Sequence, residues 1–141
     1  MTLTPAMMTS VTGWITTGIL CAQIAFPFWL RTTLPRLSKA GGSAARGGFW
    51  QSMKPHYAAG FALPALSFYH SWIPMASGHM PRTSMTGLWL ATFAMGLLFV
   101  QVLLGAGMWA AKGATAGVLR RTHLGIMVVA AVLIGFHLLL N

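Results

Sequence analysis

The sequence contains no aspartate and no glutamate, so its nine charged side chains are all lysine or arginine. Because no side-chain carboxylate is present, none can serve as a general acid, a general base or a proton relay. Charge of any sign is scarce: 6% of residues are charged, against about 25% in an average soluble protein. With 56% hydrophobic residues and a mean hydropathy of +0.70, the composition predicts an integral membrane protein.

Cysteine is also nearly absent. The single cysteine, Cys21, excludes an intramolecular disulfide and a cysteine cluster that would hold zinc or iron–sulfur. Cys21 lies in an apolar run, where we expect it to be a small core residue. The N-terminal segment MTLTPAMMTSVTGW holds no basic side chain, so a cleaved signal peptide is not expected.

Long apolar runs make up most of the chain. About 20 apolar residues cross the core of a bilayer, and four such runs occur, at about residues 9–30, 56–77, 86–111 and 122–140. The 141 residues are therefore predicted to form one domain, an all-α, four-span membrane helix bundle. Pro64 is expected to kink the second span. Apart from two pairs of histidines, no internal repeat is evident.

The basic residues lie between the apolar runs. The first connection, residues 31–55, and the third, residues 112–121, hold eight of the nine. The positive-inside rule places these connections in the cytoplasm and both termini on the outer side of a bacterial-type cytoplasmic membrane. Basic residues at span ends favour contact with anionic membrane lipid over binding of nucleic acid.

Four histidines lie within the predicted spans, His56 and His70 in the second and His123 and His137 in the fourth, and the members of each pair are fourteen positions apart. Fourteen residues advance a helix by about 1400°, four turns less ~40°, so each pair lies on nearly one face, ~21 Å apart along the axis. The second and fourth spans run in the same direction because one span separates them. His56 and His123 should therefore share the inner depth, and His70 and His137 the outer depth.

Two opposing imidazoles at one depth are the axial ligands of a b-type haem iron, and facing helices of a four-helix bundle hold such cofactors. The histidines therefore predict two haems, one above the other, between the second and fourth spans. No Cys-x-x-Cys-His motif occurs, so covalent haem attachment is excluded.

Other interpretations of the histidines stay open. Intramembrane histidines also fill structural or proton-handling roles, and copper or another metal is a further alternative. His79, in the predicted second connection, is either a solvated loop residue or a ligand or quinone contact. Met75 and Met80 are alternative iron ligands, although methionine more often fills gaps in apolar bundles.

The paired histidines resemble those of the four-helix, haem-binding half of the cytochrome b in quinol-oxidising bc-type complexes. The runs GWITTGILCAQIAFPFWL and RRTHLG are similar in character to segments of that family. The resemblance implies that His56 pairs with His123 and His70 with His137. The family also carries glycines about fourteen residues apart on its first and third helices, beside the haems. In this chain Gly13 and Gly105 are present, but the positions fourteen residues from them hold Pro27 and Ala91 in place of glycine. The resemblance implies that Gly105 contacts a haem.

Haem propionates are anionic, and the chain has no acidic side chain to compete with them for basic residues. Lys54, Arg120 and Arg121 flank the inner histidines and are predicted to bind the inner propionates. The alternative is that they determine topology only. Arg82, the one outer basic residue, is a candidate for the outer propionates, a quinone oxygen or an acidic partner surface.

The sequence thus predicts electron transfer across the bilayer through two b-type haems. A chain this small and apolar is expected to be an integral subunit of a larger respiratory or photosynthetic complex, in contact with lipid and with other redox subunits. Exchange of electrons with quinone, and with it an enzymatic activity of the chain itself, is left open. The alternative is a haem-free integral subunit that only scaffolds a complex.

Overall fold

The computed structural model of the protein describes residues 4–38, 51–78 and 84–140. These ranges contain four long helices, α1 (Pro5–Ser38), α2 (Lys54–Ser77), α3 (Met85–Ala110) and α4 (Gly113–Leu140). The prediction of an all-α fold with four long helices is therefore confirmed.

Three segments are long and apolar enough to cross a membrane, Pro5–Thr33, Met85–Ala110 and Gly113–Leu140. Large apolar side chains cover the outside of the protein; Trp109 and Leu139, for example, are each 81% exposed. Both observations support the prediction of a membrane protein with helical spans. The remaining helix, α2, has 24 residues, a length of about 36 Å, and its basic and histidine side chains lower its hydropathy. That α2 also crosses the membrane, and that both termini lie outside, stay predictions.

Two predicted connections are shorter than expected. The helix α1 continues through Pro27 to Ser38, well beyond the predicted end of the first span at residue 30. The helix α4 begins at Gly113, so only Ala111 and Lys112 separate it from α3. Hydropathy marks the length that crosses lipid and not the end of the helix, because a helix can extend into the polar interface.

Local signals define the ends of α2 and the start of α3. The helix α2 is continuous through Pro64 and ends before Gly78, whose φ of 64° is the left-handed conformation favoured by glycine. The hydroxyl of Ser84 accepts a hydrogen bond of 3.0 Å from the main-chain N–H of Gly87 and caps α3. Prolines inside membrane helices are tolerated because neighbouring groups satisfy the freed backbone atoms.

The centre of the bundle is a small apolar cluster. Leu20 of α1, Leu63 of α2 and Leu98 of α3 are buried together, and Ile134 of α4 packs against them. Leu63 lies midway between the two histidines of α2 in the sequence, so the cluster lies between the two histidine depths. Cys21, the next residue after Leu20, is exposed. The expectation of a core cysteine is wrong, because adjacent residues point about 100° apart around a helix.

Candidate functional site

The histidines of α2 and α4 form two pairs. The rings of His56 and His123 are close enough to interact electrostatically, and so are those of His70 and His137. All four residues are half-buried. The fold thus brings together one histidine from each of two helices at each of two depths.

In the outer pair, each ring is fixed by a main-chain carbonyl. His70 Nδ1 lies 2.9 Å from the carbonyl oxygen of Thr9 and 3.3 Å from the hydroxyl of Thr12. His137 Nδ1 lies 2.9 Å from the carbonyl oxygen of Gly87. A carbonyl only accepts, so Nδ1 carries the proton and the lone pair of each ring is on Nε2. Metal-binding histidines use this tautomer, and they donate the other ring N–H to a carbonyl in the same way.

In the inner pair, two buried glutamine amides contact the histidines. Gln23 Nε2 donates to the main-chain carbonyl of His56 at 2.7 Å, and Gln101 Nε2 donates to that of His123 at 2.8 Å. The main chain of each glutamine also lies close enough to the ring of the same histidine to influence it electrostatically. Among the described residues, Nδ1 of both histidines and Oε1 of both glutamines are buried without a hydrogen-bond partner.

Glycines lie against one histidine of each pair. A Cβ atom at Gly13 would be 2.9 Å from His70 Cε1, too close for any side chain without movement. At Gly105 a Cβ atom would be 3.8 Å from His123 Cε1. Gly105, predicted to contact a haem, therefore lies beside the inner pair, and the missing Cβ at Gly13 makes room for the outer pair.

A cavity of about 320 Å³ opens beside the inner pair, between α2 and α3. Its walls are aromatic or small, formed by Tyr57, Phe61, Gly105, Ala106, Trp109 and Ala110. The Tyr57 ring stacks on Trp109, with centroids 5.9 Å apart, and is 6.0 Å from the His56 ring. Flat apolar walls next to a histidine suit the edge of a planar macrocycle.

Of the predicted propionate contacts, Lys54, Arg120 and Arg121 are exposed. Lys54 opens α2 just before His56, whereas Arg120 and Arg121 lie within the first turns of α4 and not in a loop. Their role toward a cofactor stays a prediction.

Three further candidates, His79, Met80 and Arg82, lie outside the described residues. Met75 is 62% exposed, which makes it a weak candidate for an iron ligand.

The two halves of the protein are equivalent, a relation that the sequence analysis missed. The histidines of α4 follow those of α2 at one common offset along the chain. A shared motif marks the same relation in α1 and α3, GILCAQ at residues 18–23 and GLLFVQ at residues 96–101. The helix pairs α1–α2 and α3–α4, which pack most extensively, are thus two copies of one arrangement. Three residues of α1 have a counterpart on α3 that follows by the same number of positions in the sequence. The pairs are Leu20 and Leu98, Gln23 and Gln101, and Thr9 and Gly87.

The number of histidines at each depth can be compared with the number of protein ligands that a bare metal ion and a haem need. In the part of the chain that the structure describes, no three histidine, cysteine or acidic residues cluster. A bare zinc or copper ion usually takes three or four protein ligands, whereas an iron held by a porphyrin needs only two axial ones. The paired histidines therefore fit a haem.

Comparison of the chain with protein-family models, with curated protein sequences and with solved structures finds no match. The likeness to the cytochrome b family stays a prediction carried by the residues of this chain.

Proposed function

We propose that the protein transfers electrons across the membrane through two b-type haems and is an integral subunit of a larger redox complex. His56 and His123 would hold the inner haem, and His70 and His137 the outer one. A haem iron held by two imidazoles changes between its ferrous and ferric states and so carries one electron at a time.

The observation that carries this proposal is the hydrogen bonding of the outer pair. His70 Nδ1 and His137 Nδ1 each lie 2.9 Å from a main-chain carbonyl oxygen. These bonds hold both rings in one tautomer and make Nε2 more basic, which a structural histidine does not require. A proton relay through these histidines would have no carboxylate to continue it, because the chain has no aspartate or glutamate.

The rest of the chain supports the same role. The apolar cluster around Leu63 lies between the two histidine depths and excludes water there, which suits electron transfer in a low-dielectric interior. Exposed apolar side chains such as Leu103, 71% exposed, provide surface for lipid and for the other subunits of a complex. Quinone, which is soluble in lipid, is a candidate redox partner that could reach this surface.

Purification of the protein in mild detergent tests the proposal directly. We expect a red protein with two haems per chain by extraction assay, and a sharp α-band on reduction that is typical of bis-imidazole b-type haem. The expected stoichiometry follows from two histidine pairs, each sufficient for one iron. A folded but colourless preparation would favour the haem-free scaffold.

The double substitution Arg120→Ala and Arg121→Ala should lower the reduction potential of the inner haem by on the order of tens of millivolts. Removing positive charge near an iron favours its oxidised, more positive form. Redox titration of both haems measures the shift, and the outer potential should change less.

Lys112→Ala is the matched control for this experiment. It removes one exposed positive charge just before α4, about three helical turns from His123, whereas Arg120 and Arg121 lie within one turn of that histidine. An unchanged inner potential in a correctly inserted double variant would mean that the arginines determine topology only.

A further inference from the structure

We propose that Gln23 and Gln101 are positioning residues for the inner histidine pair. Each side-chain amide holds the main chain of one histidine, and the main-chain carbonyl of the same glutamine accepts a hydrogen bond from Nδ1–H of that histidine when Nε2 binds iron. This inference rests on the proposed function, because it concerns how the inner axial ligands are oriented.

The amide contact is the first step of the argument. Gln23 is only 7% exposed, and an amide in an apolar bundle is costly to bury unless it is hydrogen-bonded. Its Nε2 donates to the carbonyl oxygen of His56 at 2.7 Å, and Gln101 makes the equivalent contact to His123 at 2.8 Å. A carbonyl has two lone pairs, so it can accept this bond in addition to the helical one. Each amide thus ties a histidine helix to the neighbouring helix.

The carbonyl contact is the second step. Pro27 follows Gln23 by four residues and has no N–H, so the carbonyl of Gln23 lacks its usual helical donor. The main chain of Gln23 lies close enough to the His56 ring to influence it electrostatically. It forms no hydrogen bond there, because the buried Nδ1 of His56 has no hydrogen-bond partner among the described residues. A main-chain acceptor without its helical donor therefore lies near a buried ring nitrogen that has no hydrogen-bond partner, and this nitrogen would carry the proton when Nε2 binds iron.

The outer pair shows the completed form of this arrangement. Thr9 and Gly87, whose carbonyls accept from the outer histidines, each precede a glutamine by fourteen positions on the same helix. The two histidines of α2 are also fourteen positions apart, and so are those of α4. The helices α2 and α4 run in the opposite direction to α1 and α3. The same carbonyl-to-Nδ1 relation therefore recurs at the inner depth, and there the glutamine amide is an additional restraint.

The consequence concerns the iron. A ligating imidazole whose Nδ1–H is donated to a carbonyl has a fixed plane and a more basic Nε2, and loss of such a contact costs about 10- to 100-fold in metal affinity or activity. Without the amide, His56 or His123 can shift along or around its helix, and the two imidazole planes lose their fixed relation. The effect should be confined to the inner haem.

The test uses Gln23→Met and Gln101→Met, which keep the length of the side chain and remove its polar amide. We expect each variant to release the inner haem about 10- to 100-fold more readily on titration with a competing apo-haemoprotein. The inner haem that remains should show a changed low-spin electron paramagnetic resonance signal and reduction potential. The spectrum of a His123→Ala variant, which keeps only the outer haem, identifies the two signals. Ile24→Met is the matched control, because it alters a half-buried neighbour of Gln23 and leaves the amide in place.

The outcomes separate the two levels of the proposal. A haem-free wild-type protein would overturn the proposed function and this inference together. A wild-type protein with two haems whose glutamine variants keep an unchanged inner signal, potential and affinity would overturn this inference alone. Equal loss of both haems in the variants would also overturn it, because the glutamines would then support the whole bundle and not the inner pair.

Discussion

Replacing His70 with alanine is expected to remove one haem and leave the other, and replacing His137 should remove the same one. The two histidines lie close enough to interact and belong to different helices, so in the proposed arrangement each would supply one of the two ligands of the outer iron. An alanine at either position leaves a single imidazole, and we expect the outer haem not to be retained by this one remaining ligand. Extracted haem should fall from two to one per chain in both variants.

Determining which of the two haems remains in each variant is more informative than the haem content alone. Both single variants and the double variant His70→Ala/His137→Ala should give the same reduced spectrum and the same single potential. The complementary pair, His56→Ala and His123→Ala, should retain the other haem. Ser71→Ala is the neighbouring control, since the Ser71 hydroxyl donates to a carbonyl of its own helix. If His70→Ala and His137→Ala removed different haems, the pairing by depth would be wrong.

The general architecture was accessible from the sequence for two physical reasons. A bilayer requires runs of about 20 apolar residues, and such runs are visible without knowledge of packing. The fourteen-residue spacing of the histidines is close to a whole number of helical turns, so it predicts which histidines share a face. The boundaries of α1 and α4 were not accessible in this way, because interfacial turns of a helix are as polar as a loop.

The glutamines were missed for a different reason. A single glutamine in an apolar run carries no periodic signal, and its partner is a main-chain carbonyl that could belong to any residue. The repeat that would have revealed it is hidden by unequal connections. The stretch of chain from Gln23 to His56 is longer than the stretch from Gln101 to His123. The two halves therefore do not align at one offset, although their helices are equivalent.

Enlarging Gly13 is expected to have the second large effect, on the outer haem alone. A Cβ atom at this position would lie 2.9 Å from Cε1 and 3.3 Å from Nδ1 of His70. The ring has little freedom to retreat, because its Nδ1 lies 2.9 Å from the Thr9 carbonyl and 3.3 Å from the Thr12 hydroxyl. Gly13→Ala should therefore shift the potential and spectrum of the outer haem, and Gly13→Val should remove it.

The same helix provides the control for this prediction. A Cβ atom at Gly18 would meet nothing within 4 Å, so Gly18→Ala and Gly18→Val should keep two haems with unchanged spectra. Both glycines lie inside α1, and the comparison therefore cancels the gain in helix propensity that any glycine replacement brings. Haem content and redox titration of the four variants separate steric displacement of His70 from a general change in the helix. Two unaltered haems in Gly13→Val would show that the His70 ring is not held against α1 in the haem-bound protein, and His70 Nδ1 would then need a hydrogen-bond acceptor other than the Thr9 carbonyl.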